Sequence, residues 1–404
     1  TATPYGGGVL CSGASRLTLE NVVVRNNTAD TEYMDGGGGI RITGGAGHRV
    51  SNSVISNNVA RVRGWGGGLY LDGTTSMLIE NSVIVSNVAS ASSFDGNGGA
   101  IELINNAQLF LANCRISDNR CAGGGSAIHC ATATVGGGGG VFTAYGCLFT
   151  GNRHATDPNG TRVDVIRSAQ LPSAGASRLA NCTVVSNYGG GITAVAQWSG
   201  GHFVGLQLLN SIIQAGALQA QGGDCYGSSV TTTHLALQNT TVQMQTNQNG
   251  YGMAAFVGGA WQWSHTNTLA QALAALDAAG SNRFHSLTAG NTLSQALETN
   301  LEGDPGLLTD PLQLRGRPLF SLADNSTCFD SGINRAGSGF AYVDVNNNAS
   351  YDALVDVIVS GMPPAGTNYV YATDLAGSPR LKGAAIDRGC YETQSRGGTV
   401  VLFR

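Results

Sequence analysis

The chain has 404 residues, 60 of them glycine, about twice the usual share of roughly 7 %. Only 11 % are charged and the formal net charge is −4. No basic stripe advertises nucleic acid, and no apolar run reaches the ~18 residues of a membrane helix. Glycine does not fall at every third position, which excludes collagen, and 42 % hydrophobic residues are too many for a disordered chain.

The chain opens on TATPYGGG with no basic leader, so an export signal is expected to have been removed or to lie outside it. From there one pattern recurs eight times. It reads LTLENVVVRNN (17–27), HRVSNSVISNN (48–58), MLIENSVIVSN (77–87), LFLANCRISDN (109–119), FTAYGCLFTGN (142–152), SRLANCTVVSN (177–187), LQLLNSIIQAG (206–216) and LALQNTTVQMQ (235–245). The anchors are Asn21, Asn52, Asn81, Asn113, Gly146, Asn181, Asn210 and Asn239, spaced 29 to 35 residues apart. Six residues after each of the first six stands Asn27, Asn58, Asn87, Asn119, Asn152 or Asn187. Between the blocks a glycine cluster precedes an aliphatic residue, at Val9, Ile40, Leu69, Ile101, Ile128 and Ile192. The slot near Ile166 matches poorly, and GGDC at Cys225 reads as a degenerate copy.

Inside each block the apolar period is 2, the signature of strands. Identical short strands at a fixed period bury their stripes by stacking coil on coil, in parallel and in register. The expected fold class is all-β: a right-handed parallel β-helix of about eight or more coils over residues 1–245. Residues 246–404 form a C-terminal region of short helices and irregular loops that packs on the solenoid or continues it. The helical patterns are TLAQALAALDAAG (268–280) and TLSQALETNL (292–301). Asparagine suits bends because it tolerates left-handed backbone, and in-register amides can bond along the axis. Asn27, Asn58, Asn87, Asn119, Asn152 and Asn187 are therefore expected to form a structural ladder.

Other rows carry further expectations. Cys114, Cys147 and Cys182 share one inward row and read as small buried hydrophobes, and Cys11 and Cys130 also face inward. Val23, Val54, Val83, Arg115, Leu148, Thr183, Ile212 and Thr241 alternate outward yet are mostly apolar. Such a stripe needs a cover; the chain's own C-terminal third is the expected one, a partner subunit the alternative.

Loops of varied length follow the second asparagine and gather on one side of the solenoid. They present Tyr33, Asp35, Arg61, Arg63, Trp65, Phe94, Asp95, Arg120, Arg153 and His154, together with Asp157 and Arg162. Aromatic faces flanked by arginine and aspartate suit a sugar; a solvated rim is the plain alternative. Hydrolysis of a glycoside needs paired carboxylates about 5 to 9.5 Å apart. Glu20 and Glu80 share a row two coils apart, with Ser51 between them, and no further acid continues it. DVNNNASYD (344–352) places Asp344, Asn346, Asn348 and Asp352 as in a calcium loop, without its glycine or closing glutamate. The repeat starts almost at residue 1, and an uncapped coil exposes unpaired backbone, so copies stacked end to end are a further expectation.

GGAI (98–101) and FTGN (149–152) resemble the GGA[ILV] and FxxN repeats of chlamydial polymorphic outer-membrane proteins. That resemblance implies a β-helical, adhesive surface role. GDPGLL (303–308), STCFDSG (326–332), TDLAGSPR (373–380) and AAIDRGCYE (384–392) are similar to the tail of bacterial choice-of-anchor Q proteins, which implies export and surface attachment. Cys328 and Cys390 stand where that tail has alanine, and the double replacement implies a disulfide between them. The functional expectation is an extracellular or cell-surface structural and adhesive protein that binds polysaccharide or a surface glycan. The runner-up is a secreted polysaccharide lyase or glycoside hydrolase.

Overall fold

The computed structural model describes residues 6–188, apart from 32–35, 63, 90–95, 132–138, 156–163 and 171–176. Further on it describes the strands between 191 and 302, Ser211, and tail residues 307, 320, 322, 326, 328, 342–343, 357–358, 374–376 and 389–391. Among the described residues there are strands and turns but no helix. The helical patterns at 268–280 and 292–301 lie outside the described residues, except that Leu301 begins a two-residue strand.

Each coil passes through a first, a second and a third sheet. The first coil contributes Val9–Ser12, Thr18–Glu20 and Val23–Arg25. In the first five coils a fourth sheet follows, made of Thr28–Thr31, Val59–Val62, Val88–Ala89, Arg120–Cys121 and Arg153–His154. The second and third sheets are nine-stranded; the first has ten strands. Nine of those ten are parallel, and Ala260–Ser264 turns back antiparallel on Met253–Val257.

The register follows the sequence rows. Leu19, Val50, Ile79, Leu111, Ala144, Leu179, Leu208 and Leu237 pair coil to coil. So do Val24, Ile55, Ile84, Ile116, Phe149, Val184, Ile213 and Val242. Ile166 fills the poorly matched slot between Ile128 and Ile192. The slot after Ile192 belongs to Leu218 rather than to the GGDC copy, because register follows the alternating aliphatic even where the glycine cluster is missing. A ninth coil adds Met253–Val257, Phe284–Ser286 and Leu301–Glu302 to the three sheets. The rows converge in one continuous apolar core.

The two asparagines of each block do different work. The anchors take the left-handed turn: Asn21, Asn52, Asn81, Asn113 and Asn181 have φ of 48 to 54°, and Gly146 has 57°. At the next bend the left-handed residue precedes the second asparagine, as at Asn26, Asn57 and Ser86. This frees the second asparagine to point inward. Asn58 donates its amide to Asn87 Oδ1 at 2.9 Å and to the Val24 carbonyl at 3.0 Å. Asn27, Asn87, Asn119 and Asn152 each donate to the next rung in the same way, so the amides run unbroken to Asn187. Each Oδ1 also accepts the backbone N–H of the preceding rung. The glycine marks face this ladder. A Cβ at Gly39 would lie 2.8 Å from the Asn58 amide nitrogen, and one at Gly38 would run into the Gly67 carbonyl. The glycine cluster and the asparagine are thus two halves of one contact.

The thiol row is more than apolar filling. Ser53 Oγ accepts the Val22 N–H at 3.1 Å, and Cys147 Sγ accepts the Cys114 N–H at 3.4 Å in the equivalent place. Cys114, Cys147 and Cys182 are fully buried. Burial, with the flanking thiols added, holds the Cys147 thiol well above its ordinary range. Cys11 and Cys130 are also buried.

The outward row of the third sheet changes character along the axis. Val23 is 59 % exposed, whereas Leu148 and Ile212 are 3 % and 1 % exposed. The tail makes the difference. Phe320, Cys390, Leu307, Leu375 and Tyr391 pack on Leu148 and Val185, while Leu322 and Cys328 pack on Ile212. The Cys390 N–H donates to Thr183 Oγ1 at 3.1 Å. Four separated tail segments therefore meet on one face of the sheet. The disulfide implied for Cys328 and Cys390 is not formed. Both remain thiols, each filling a different apolar cluster over a different coil.

Candidate functional site

The fourth sheet forms the corner on which the loops gather. Its rungs are set by the ladder beneath, because the residue right after each ladder asparagine bonds the coil before it. The Val59, Val88, Arg120, Arg153 and Tyr188 N–H groups donate to the carbonyls of Asn27, Asn58, Asn87, Asn119 and Asn152 in turn, each at 2.9 or 3.0 Å. Val88 pairs with Arg120, and Arg120 with Arg153. Arg120, Arg153 and Tyr188 thus occupy one row on three consecutive coils, about 4.8 Å apart per step.

The row is open. Tyr188 is 50 % exposed, and Arg120 and Arg153 are half-buried. Neither guanidinium has an ion pair or side-chain hydrogen bond among the described residues. Like charges directly opposite on neighbouring strands repel, and among the described residues no acid offsets these two. Coil four continues with only RCA (120–122), and in coil six Tyr188 runs straight into the glycine mark, whereas coil five continues with RHATDPNGTRVD (153–164), of which 156–163 lie outside the described residues.

The other candidates divide. Arg61 is exposed and lies 3.7 Å from Asp30, away from the row. Trp65 is buried at 6 % and packs with Tyr70, Ile104 and Ala131; its ring is core and offers no platform to a ligand. His154 is half-buried, at the end of a row whose other members, Ala29, Ala60, Ala89 and Cys121, are fully enclosed. Tyr33, Asp35, Arg63, Phe94, Asp95, Asp157 and Arg162 lie outside the described residues, as do Asp344, Asn346, Asn348 and Asp352 of the calcium pattern. Among the described residues no group of three His, Cys, Asp or Glu is placed to hold a metal. Sequence reasoning missed Tyr188 because it sought long loops. Its signal is positional, the slot right after a ladder asparagine.

Glu20 and Glu80 do not form an acid–base pair. Glu20 is exposed, whereas Glu80 is 5 % exposed and is held by Arg49, whose Nε donates to it at 2.8 Å. A second polar row, also missed, lines the outer face of the first sheet: Arg41, Tyr70, Glu102, His129 and Arg167, rung by rung. Arg41 lies over the Tyr70 ring at 4.9 Å, and His129 Nδ1 sits 2.8 Å from Glu102 Oε1. Glu102 is fully enclosed. Burial raises its carboxyl above the ordinary value, and His129 opposes the rise. An enclosed pair cannot reach a substrate; it joins coils four and five.

Among the described residues no helix is long and apolar enough to cross a membrane. Comparison with curated proteins and with solved structures returns no match. A family model does match: the right-handed β-helix region aligns with residues 3–260, more than half of the chain, and it fixes the hand of the stacked coils described above. The chain belongs to the right-handed β-helix family.

Proposed function

We propose that this is an extracellular or cell-surface β-helix protein with a structural and adhesive role, binding glycan along the corner of Arg120, Arg153 and Tyr188. The row of two arginines and an exposed tyrosine on consecutive rungs carries this reading. A tyrosine ring offers a flat apolar face to a sugar, and guanidinium groups bind hydroxyls or carboxylates. The platform is rigid because each member is anchored to the ladder, and preorganised groups lose little freedom on binding. The Glu20–Glu80 pair does not support the lyase or hydrolase alternative, since Glu80 is engaged by Arg49.

The test is direct binding of the purified chain to a panel of immobilised polysaccharides. Tyr188→Ala is expected to weaken binding about tenfold, the scale of one lost aromatic contact of ~1.4 kcal/mol, with an unchanged circular dichroism spectrum. No binding across the panel, or binding indifferent to Tyr188→Ala, overturns the reading.

A further inference from the structure

We infer that the corner selects a polyanionic polysaccharide lying parallel to the solenoid axis, with acidic groups presented to successive coils. This rests on the glycan reading above and adds the class of ligand and its direction. Arg120 and Arg153 pair rung to rung, so their backbones stand one coil apart along the axis and not across it. Neither has an acid partner among the described residues. Three other described arginines are engaged, Arg49 by Glu80, Arg61 by Asp30 and Arg41 by the Tyr70 ring, while Arg25 and Arg115 are exposed on the third sheet and do not share a row with a second arginine one coil away. Two adjacent, half-buried cations with no counter-charge among the described residues invite an anion, and arginine binds carboxylate and sulfate with two parallel hydrogen bonds.

Tyr188 continues the row by one more coil and gives a ring face where the charges end. A ligand crossing the coils would meet one arginine; a ligand along the axis meets both and then the tyrosine. A polynucleotide is disfavoured because the chain carries a net charge of −4 and the row holds only two cations, far short of a phosphate-tracking stripe.

The experiment measures binding of the full chain to a polyuronate, a sulfated glycan, a neutral polymer of comparable length, and a single-stranded oligonucleotide, at two salt concentrations. Binding to one or both acidic polysaccharides is expected, weakening as salt rises. The carboxylated and sulfated arms tell which anion is preferred. Arg120→Gln/Arg153→Gln is expected to lose at least tenfold, Arg120→Lys/Arg153→Lys to lose less because it keeps the charge without the two parallel hydrogen bonds, and Arg25→Gln, an exposed arginine on the third sheet, to match the unmodified protein. Acidic oligosaccharides shorter than two charged sugars are expected to bind weakly. The lysine pair keeps the test valid if the glutamine pair misfolds. Equal affinity for the neutral polymer, with no effect of the double glutamine variant, overturns the polyanion inference and leaves the glycan reading standing. Absence of polysaccharide binding overturns both, and binding of the oligonucleotide alone overturns this inference in favour of a nucleic-acid partner.

Discussion

Two outward rows run along the solenoid on neighbouring walls, and they meet opposite fates. On the third sheet the row passes from Val23 through Arg115 to Leu148, Thr183 and Ile212, and its later members are buried beneath the tail. At the corner the row passes from Val59 and Val88 to Arg120, Arg153 and Tyr188, and its later members stay open. Both change character near coil four, one toward apolar cover and the other toward charge. Stacking dictates what may point inward, because an inward residue must match the coil above and the coil below. Outward positions escape that rule, so they carry what distinguishes one solenoid from another: here an intramolecular docking face and a candidate binding edge.

The comparison breaks most severely if the ladder beneath the corner is cut. Asn87 Oδ1 accepts the Asn58 N–H and amide at 3.0 and 2.9 Å. Its own amide donates to Asn119 Oδ1 and to the Ile55 carbonyl at 3.0 Å each. Asn87→Ala deletes all four and strands buried partners. At about 1 kcal/mol per net bond the loss is about 4 kcal/mol, read as a drop in the denaturant midpoint. A loss below ~1 kcal/mol would mean that the ladder follows the coil geometry and does not set it.

A smaller effect separates the two ends of the apolar row. Leu148→Ala, beneath the tail, is expected to cost about 3 kcal/mol through lost burial and the cavity left behind. Val23→Ala, at the exposed end of the same row, is expected to cost less than ~0.5 kcal/mol. Matched denaturation curves check both. Equal costs would show that the tail is not what distinguishes these coils.

The inward rows were legible in the sequence because stacking repeats one demand about every 30 residues. Even the weak slot resolved at Ile166, whose alternating neighbours keep the register. What stayed hidden had physical causes. The two asparagines of a block look alike, yet one supplies a left-handed backbone and the other a buried amide; residue type alone does not separate these uses. Leu218 carries a weak mark, a single glycine at Gly216 in place of a cluster, although the pairing needs only its aliphatic side chain. The corner site was half legible. Arg120 and Arg153 were found as loop residues, while Tyr188 has almost no loop and Trp65 turned inward. The Glu102–His129 pair was missed because outward rows obey no periodic rule that would single it out.

The mildest prediction concerns that pair, which stands between the two fates: polar like the corner, buried like the docking face. Burial lifts the Glu102 carboxyl above 4.5, with His129 pulling the other way. Between 4.5 and its raised value the folded state therefore holds the Glu102 proton more tightly than the unfolded chain does. Stability falls as pH rises through that window and levels off above it, by no more than about 1.4 kcal/mol per pH unit. Glu102→Gln cannot ionise, so its stability relative to the unmodified protein is expected to improve from pH 4 upward and then become constant. Denaturant midpoints at unit pH steps measure this difference. A difference that stays flat from pH 4 to 8 would show that the carboxyl ionises as freely in the fold as in the open chain, and that its enclosure leaves this row as wet as the corner.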